Sequence, residues 1–451
     1  FKFKATEGNT DTVVWLPSNT TVESFIVHPK AVTIPVVSVV CDNSYLNSKD
    51  YGIFSNNNTS DKSRQVNWRR PAHYIVWMNS AVNPVLNQLG EMRCAGAWSR
   101  SSSLKPLAVF ADSRFDTDDY FYTPFWKQGG SLYNKSILLR NSGNDYGYSF
   151  IRDGAAQLSF GPYCDLDWQA FQPAVFYLNG VCKGIINIRE RANGNHVWAH
   201  YGYENDEIDL IENFQLRNGS MMNFNEFEEF YSQPGHTYSE YNEWIDVSEY
   251  LNLFILASFF VHQDFPGNNY VLWRPQHEGG RWRAIVKDVD FAYNLYGSRP
   301  YNTDYFNWIL RTGAYEFTYE SGANEDRATL LFRNMMKDPD IRNEFVDRFT
   351  VYLGDFLTSD RAAAVVWDCA DQIRSEYNAQ GEWNNMAEWV KERHQFLSSN
   401  ALRNYFDLGS IRKVSINCDA KDPEDYGITI NNIPLTTGCF DGNMYAKRTY
   451  V

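Results

Sequence analysis

Paired cysteine motifs are missing from this chain. Its seven cysteines, Cys41, Cys94, Cys164, Cys182, Cys369, Cys418 and Cys439, include no Cys-x-x-Cys pair, which leaves zinc-ribbon and thioredoxin-type readings without support. Cys418 and Cys439 lie near enough to pair, but the odd count and wide spacing favour mostly free, buried thiols. Long apolar runs are lacking as well. The longest, Leu253 to Val261, falls far short of the ~18 residues that read as a membrane span. Positive charge is scarce: 41 Lys and Arg stand against 55 Asp and Glu, for a net charge of −14 and no clustered basic face. Nucleic acid is therefore not an expected partner, because that affinity comes largely from neutralised phosphates. No Walker loop and no Gly-x-Ser-x-Gly occurs, so P-loop and serine-hydrolase chemistry are unsupported. His196 and His200 stand four apart in HVWAH without the glutamate of a zinc-protease helix, and no metal is expected there.

The chain is globular in composition, 43% hydrophobic and 21% charged over 451 residues, enough for two or three domains. Aromatics reach 16%, which core packing explains and which sugar-facing or base-stacking platforms would also produce. Residue 1 is Phe and already sits in a strand-like pattern, so a removed leader or upstream domain is expected. Residues 1–33 read as strands (FKFKAT, TVVWLP, TVESFIV), the tail of a β-sandwich. PVVSVVC at 35–41 reads as a buried strand, and NNNTSDKS at 56–63 as a polar loop. Residues 72–188 are mostly strand, with SFIRDGAAQLSF a short helix and Asn179-Gly180 a strong hairpin turn between apolar runs. Asp246 with Glu249 three positions on resembles a capping box, ahead of the apolar face Leu251, Phe254, Ile255 and Phe259. Helices are expected from Asp338-Pro339 toward Leu357, from Asp360 to about Tyr377 and from about Asn385 to Phe406. After Gly409 the texture returns to strand, read as the start of a C-terminal β-module over 409–451.

The chemistry concentrates in DFPGNNYVLWRPQHEGGRWRAIVKDVDFAYN, residues 264–294. An aspartate, an asparagine five positions on, a strand–turn–strand and an Asp-x-Asp follow in the order in which protein-kinase-type sites deliver a catalytic Asp, a metal-binding Asn and a metal-binding Asp. Asp264 is the candidate base. Asn269, or its neighbour Asn268, offers an amide oxygen to a metal. Asp288 and Asp290, two apart, would share one face of a strand and converge on a cation. Carboxylates so close raise each other's pKa unless a cation or Lys287 offsets them. The bland readings are a turn aspartate, an Asx turn and solvated strand charges.

Several blocks together resemble one family, the CotH-type (spore coat protein H) atypical protein kinases. They are IPVVSVV (34–40), YGIF (51–54), WRRP (68–71), GAWSRSSSLKPLAV (96–109), LLRNSGNDYGYSFIRDGAAQ (138–157) and FYLNGVCKGIINIRER (176–191), with DFPGNNYVLWR and KDVDFAYN completing the set. The resemblance covers about 34–406 and implies an α+β fold of kinase-like, two-lobed type: a β-rich N-lobe at about 34–200 and a helical C-lobe at about 201–408, flanked by partial β-modules. It further implies ATP and Mg²⁺ as cofactors, with Arg100, Lys105 and Arg140 toward the phosphates. Asp153 is available to pair a phosphate-binding cation, and Glu190 falls where a hinge would hold the adenine edge. Two departures stand out: Lys287 replaces the family's Trp before Asp-x-Asp, and Ala95-Gly96-Ala97 reduces its Gly-Gly.

By this resemblance the chain is a secreted or surface Mg²⁺-dependent kinase, extracytoplasmic, with a lipid anchor upstream as one means of attachment. It would transfer the ATP γ-phosphoryl group to a hydroxyl of a protein or surface-polymer acceptor. A non-catalytic surface adhesion or scaffold module is the alternative, favoured by the two departures and by scarce extracellular ATP. A glycosyltransferase using the Asp-x-Asp is weaker, since nothing suggests a doubly wound sheet.

Overall fold

A computed structural model describes residues 2–6, 13–17, 26, 28, 30–55, 67–78, 81–310, 326–417 and 427–451. The TVESFIV strand, the 56–63 loop and Cys418 lie outside the described residues, apart from Ile26. Lys2–Thr6 and Val13–Pro17 pair as an antiparallel hairpin. The six cysteines described are all free.

The β-rich part is a closed barrel of seven strands. In spatial order they are Phe171–Leu178, Val181–Arg189, Ser136–Arg140, Leu107–Ala111, Leu86–Cys94, Arg70–Trp77 and Val36–Val40. Neighbours are antiparallel except at the closure, where Val36–Val40 runs parallel to Phe171–Leu178. The Asn179-Gly180 turn has φ of 49° and 77°, the left-handed pair that matches strand twist in a two-residue hairpin. Phe171–Leu178 is buried at every position, as expected of a strand covered on both faces. The helix Arg152–Leu158, also nearly all buried, packs on its first residue, Phe171. A Cβ at Gly154 would stand 2.5 Å from the Phe171 ring, so only glycine lets helix and strand approach this closely.

Beyond the barrel comes a four-stranded antiparallel sheet in the order Gln215–Asn218, Ile208–Glu212, Val271–Pro275, Arg283–Ala284. Helices surround it, and no helix among the described residues is long and apolar enough to cross a membrane. The central helix, Val247–Phe260, is buried on all sides and not only on the expected Leu251–Phe259 face. Its start corrects the capping-box reading. Asp246 accepts from the Glu249 N–H as expected, but the Glu249 carboxylate accepts from the Ala284 N–H and from Arg283 instead of reaching back. The helix is thereby tied to the sheet edge.

Its other end is closed by Arg393, a fully buried guanidinium on the helix Gln380–Phe396. Arg393 donates to the carbonyls of Ser258 (2.7 Å), Phe259 (3.1 Å), Tyr301 (2.7 Å) and Thr303 (2.8 Å). Terminal helix carbonyls lack intrahelical donors, and one planar cation supplies several at once. The expected helices appear as Pro339–Gly354, Ser359–Ile373 and Gln380–Phe396, the last continuing through a wider π turn to Tyr405. The C-terminal strands Ile411–Asn417 and Cys439–Tyr445 pair antiparallel and dock on Pro339–Gly354, where Gly354 leaves room for the Phe440 ring.

Candidate active site

Leaving the central helix, the chain turns at Val261, whose φ of 53° and ψ of 54° lie in the left-handed region. A β-branched residue enters that region at a cost of roughly 1–3 kcal/mol, and such residues gather at functional sites. Asn269 (58°), Asp288 (54°), Tyr293 (53°) and Asn294 (58°) share the positive φ. The surroundings hold the loop that follows. Tyr305 Oη lies 2.8 Å from the His262 carbonyl and 3.1 Å from that of Phe265, and Trp308 Nε1 donates to Phe265 O at 2.9 Å. Asn213 Nδ2 donates to Asn268 Oδ1 at 2.7 Å.

Within this loop Asp264 Oδ2 accepts from Asn268 Nδ2 (2.9 Å) and Asn269 Nδ2 (3.3 Å). Asn269 Nδ2 also lies 3.4 Å from the Asp288 carbonyl. Fixing the amide through its nitrogen turns Asn269 Oδ1 the other way, while the Asn268 oxygen is occupied by Asn213. The two amides thus differ in bonding: Asn268 is engaged through its oxygen as well as its nitrogen, Asn269 through its nitrogen.

Asp288 and Asp290 do converge, but not as strand neighbours: Arg283–Ala284 ends before them, and Asp288 sits in a left-handed turn. The strand argument for their convergence is corrected to a turn geometry. They meet at Arg140, the last residue of Ser136–Arg140, which bonds Asp288 through both terminal nitrogens and Asp290 at 2.8 Å. Its Nε stands 3.6 Å from Asp153. Asp153, buried at the start of Arg152–Leu158, also pairs with Arg189 at 2.6 Å and accepts from the Val289 N–H at 2.9 Å. That backbone bond clips the Asp-x-Asp turn to the barrel-side helix.

The block NSGND supplies the rest. Asn144 donates to Asp290 from its backbone (2.8 Å) and its side chain (3.2 Å). Gly143, at φ 59°, passes so close that a Cβ would sit 2.3 Å from Asp290 Oδ2 and 2.5 Å from Arg140 Nη2. Asp145 is buried against Arg152, whose other nitrogen reaches Glu382 at 2.6 Å.

Electrostatically the cluster carries surplus negative charge. Asp153, Asp288 and Asp290 share two guanidiniums, Arg140 and Arg189. Burial, then the Asp288 charge, pushes the Asp290 carboxyl well above the usual range despite Arg140. For Asp153 burial works the same way, but Arg189 and Arg140 overcome it and hold the carboxyl below its ordinary value. His262 is pushed down to about 4 by burial and stays neutral. Two carboxylates and an amide oxygen, all hard donors with charge to spare, fit a divalent cation of the Mg²⁺ class.

Arg100, Lys105 and Glu190 bond to other groups. Lys105 Nζ donates to the carbonyls of Arg100 and Ser102, both at 2.9 Å, and Arg100 Nε donates to Gly96 O at 2.6 Å. Lys105 also lines a cavity of about 660 Å³ at the Asn179-Gly180 end of the barrel, which contains none of Arg140, Asp264, Asn269, Asp288 or Asp290. Glu190 is buried, accepting from the N–H groups of Ser131 (2.9 Å) and Ala170 (3.1 Å) and bonding His200 at 2.8 Å. Its own N–H and carbonyl are engaged by Ala170 O and Gln169 Nε2. Lys287, the departure from Trp, pairs with Glu212 and does not offset the Asp-x-Asp.

Sequence reasoning left three members without a role: His262, Asn144 and Arg189. His262 had a legible signal, because His-x-Asp with Asn five further on is the kinase loop spacing. The other two are joined only by tertiary contact.

Residues 218–405 match the family model described as CotH kinase protein. The match takes in Asp264, Asn269, Asp288 and Asp290 and supports the CotH-type family. It implies a kinase-like, ATP-using protein. Arg100, Lys105, Arg140 and Glu190 precede the matched segment. No curated protein matches the chain.

Proposed function

We propose, from the CotH kinase match and the acidic cluster together, that this chain is an extracytoplasmic Mg²⁺-dependent phosphotransferase. It would carry the γ-phosphoryl group of ATP to a hydroxyl of a protein or glycan. The barrel would serve as N-lobe and residues 201–408 as C-lobe, with ATP at their junction. One observation carries the reading: Asp264, Asn269 and the Asp-x-Asp turn are joined by direct bonds, and the turn's carboxylates meet one barrel cation.

Asp288, Asp290 and Asn269 Oδ1 would hold Mg²⁺, which when bound offsets charge on the phosphates. Asp264, held in place by two amides, orients the acceptor hydroxyl and takes its proton. The acceptor oxygen then bonds to the γ-phosphorus, the bond to the β–γ bridging oxygen breaks, and ADP departs. Arg140 keeps its Asp153 contact and presents the remaining guanidinium face to phosphate oxygens, the bidentate geometry that suits them. Phosphoryl transfer needs little covalent help, so this placement of charge is most of the catalysis.

The test is incorporation of γ-phosphate with Mg²⁺ and ATP. Asp264→Asn should abolish it while Mg·ATP still raises the melting midpoint. Unchanged autophosphorylation in that variant would remove Asp264 from the mechanism. The scaffold reading retains one supporting observation: Lys105 and Arg100 are bonded to backbone carbonyls. It predicts no thermal shift at millimolar Mg·ATP.

A further inference from the structure

Glu190, His196 and His200 form a second cluster, and the acidic site does not use it. The helix Gly194–Tyr201 presents His196 and His200 one turn apart, with ring centroids 4.3 Å apart and planes inclined by 30°. Glu190 stands just past the strand Val181–Arg189, and one donor atom from each residue lies within 4.8 Å of the others. His196 is only 3% exposed, yet neither of its ring nitrogens has a hydrogen-bond partner among the described residues. Leaving a buried polar group unpaired costs about 1–3 kcal/mol, so an imidazole buried this deeply without a partner calls for a ligand.

We propose that Glu190, His196 and His200 bind a zinc-class transition-metal ion. Two imidazoles and one carboxylate are a zinc donor set, borderline in softness and unsuited to Mg²⁺. Bond lengths of ~2.0–2.2 Å place tetrahedral ligands about 3.3 Å apart, so donor atoms that lie within 4.8 Å of one another draw together by up to about 1.5 Å on binding. The Glu190–His200 hydrogen bond at 2.8 Å opens to admit the ion. Ser131 and Ala170 N–H groups already orient the carboxylate, the outer-shell support that metal ligands require. His200 is the solvent-facing ligand, with its side chain 28% exposed, so water completes the fourth position. The third ligand thus comes from outside HVWAH, brought by the barrel.

The ion would fasten the barrel to the second sheet. Val197, on the same helix, packs with Ile208, Leu210, Val271 and Trp273, and the strand Val271–Pro275 begins just after Asn269. This proposal does not depend on phosphoryl transfer.

The full chain, stripped with a chelator and titrated with Zn²⁺ or Co²⁺, should take up one ion at this site. It should show the intense visible absorption of tetrahedral Co²⁺ and a raised melting midpoint. His200→Gln, at an accessible position, should weaken Zn²⁺ binding by roughly 100-fold or more and abolish the Co²⁺ spectrum. His196→Ala should do the same, and Asp288→Asn should leave both intact. No uptake at micromolar free Zn²⁺ would overturn the proposal. So would a folded His200→Gln that keeps the ion, or loss of the ion in Asp288→Asn alone.

Discussion

Replacing Arg140 by methionine isolates the charge balance of the acidic cluster. Methionine retains most of the aliphatic volume and removes the cation. Arg140 is 14% exposed and touches Asp288, Asp290 (2.8 Å) and Asp153 (3.6 Å), so the variant leaves three carboxylates with Arg189 alone. Removing one partner of a buried ion pair costs about 3–5 kcal/mol, because the remaining charge is left desolvated. We expect that loss in thermal or urea unfolding without divalent cation. A divalent ion joining the Asp-x-Asp restores the missing charge and need not share it with the guanidinium. Mg²⁺ should therefore bind and stabilise Arg140→Met more than the native chain, and at 100 times the variant's Kd its stabilisation is about 2.7 kcal/mol. The assay is the melting midpoint against Mg²⁺ concentration, with and without a chelator. A loss under about 1 kcal/mol, or equal Mg²⁺ responses in the two proteins, would refute the surplus-charge argument.

Three further outcomes follow from the same geometry. Asp153→Asn should cost about 3–5 kcal/mol alone, and the double variant with Arg140→Met should cost less than the sum, as a thermodynamic cycle would show. Gly143→Ala, forced against Asp290 and Arg140 at φ 59°, should lose about 1–3 kcal/mol of stability and weaken Mg·ATP binding in calorimetry. His262 is neutral in the fold down to about 4 but protonates near 6.5 when unfolded. The unfolded chain thus binds more protons in that window, and stability falls as pH drops from 6.5 toward 4, by about 3 kcal/mol from this group. His262→Leu should flatten the stability–pH curve by that amount between those limits.

Legibility varied with the range of the interactions involved. Asn179-Gly180, the short helix in SFIRDGAAQLSF and the Asp338 cap are local, set by φ preference and by side chains reaching their own backbone, and they appear where the pattern puts them. The capping box failed because Glu249 was bonded to a strand more than thirty residues ahead. Likewise the two carboxylates converge through a left-handed turn and a barrel arginine, which strand periodicity could not disclose.

By itself the sequence determined which side chains could do chemistry and in what order they arrive: an aspartate, an amide and an Asp-x-Asp at kinase spacing, within a matched CotH segment. Spacing of this kind is written in the chain because a single loop and hairpin deliver those groups. Tertiary structure alone decided the cations. It brought Arg140 and Arg189 to the aspartates, turned Lys105 and Arg100 toward backbone carbonyls, and carried Glu190 to two histidines. Those partners are strands and helices apart, and a barrel joins them by closure, which leaves no periodic trace in sequence.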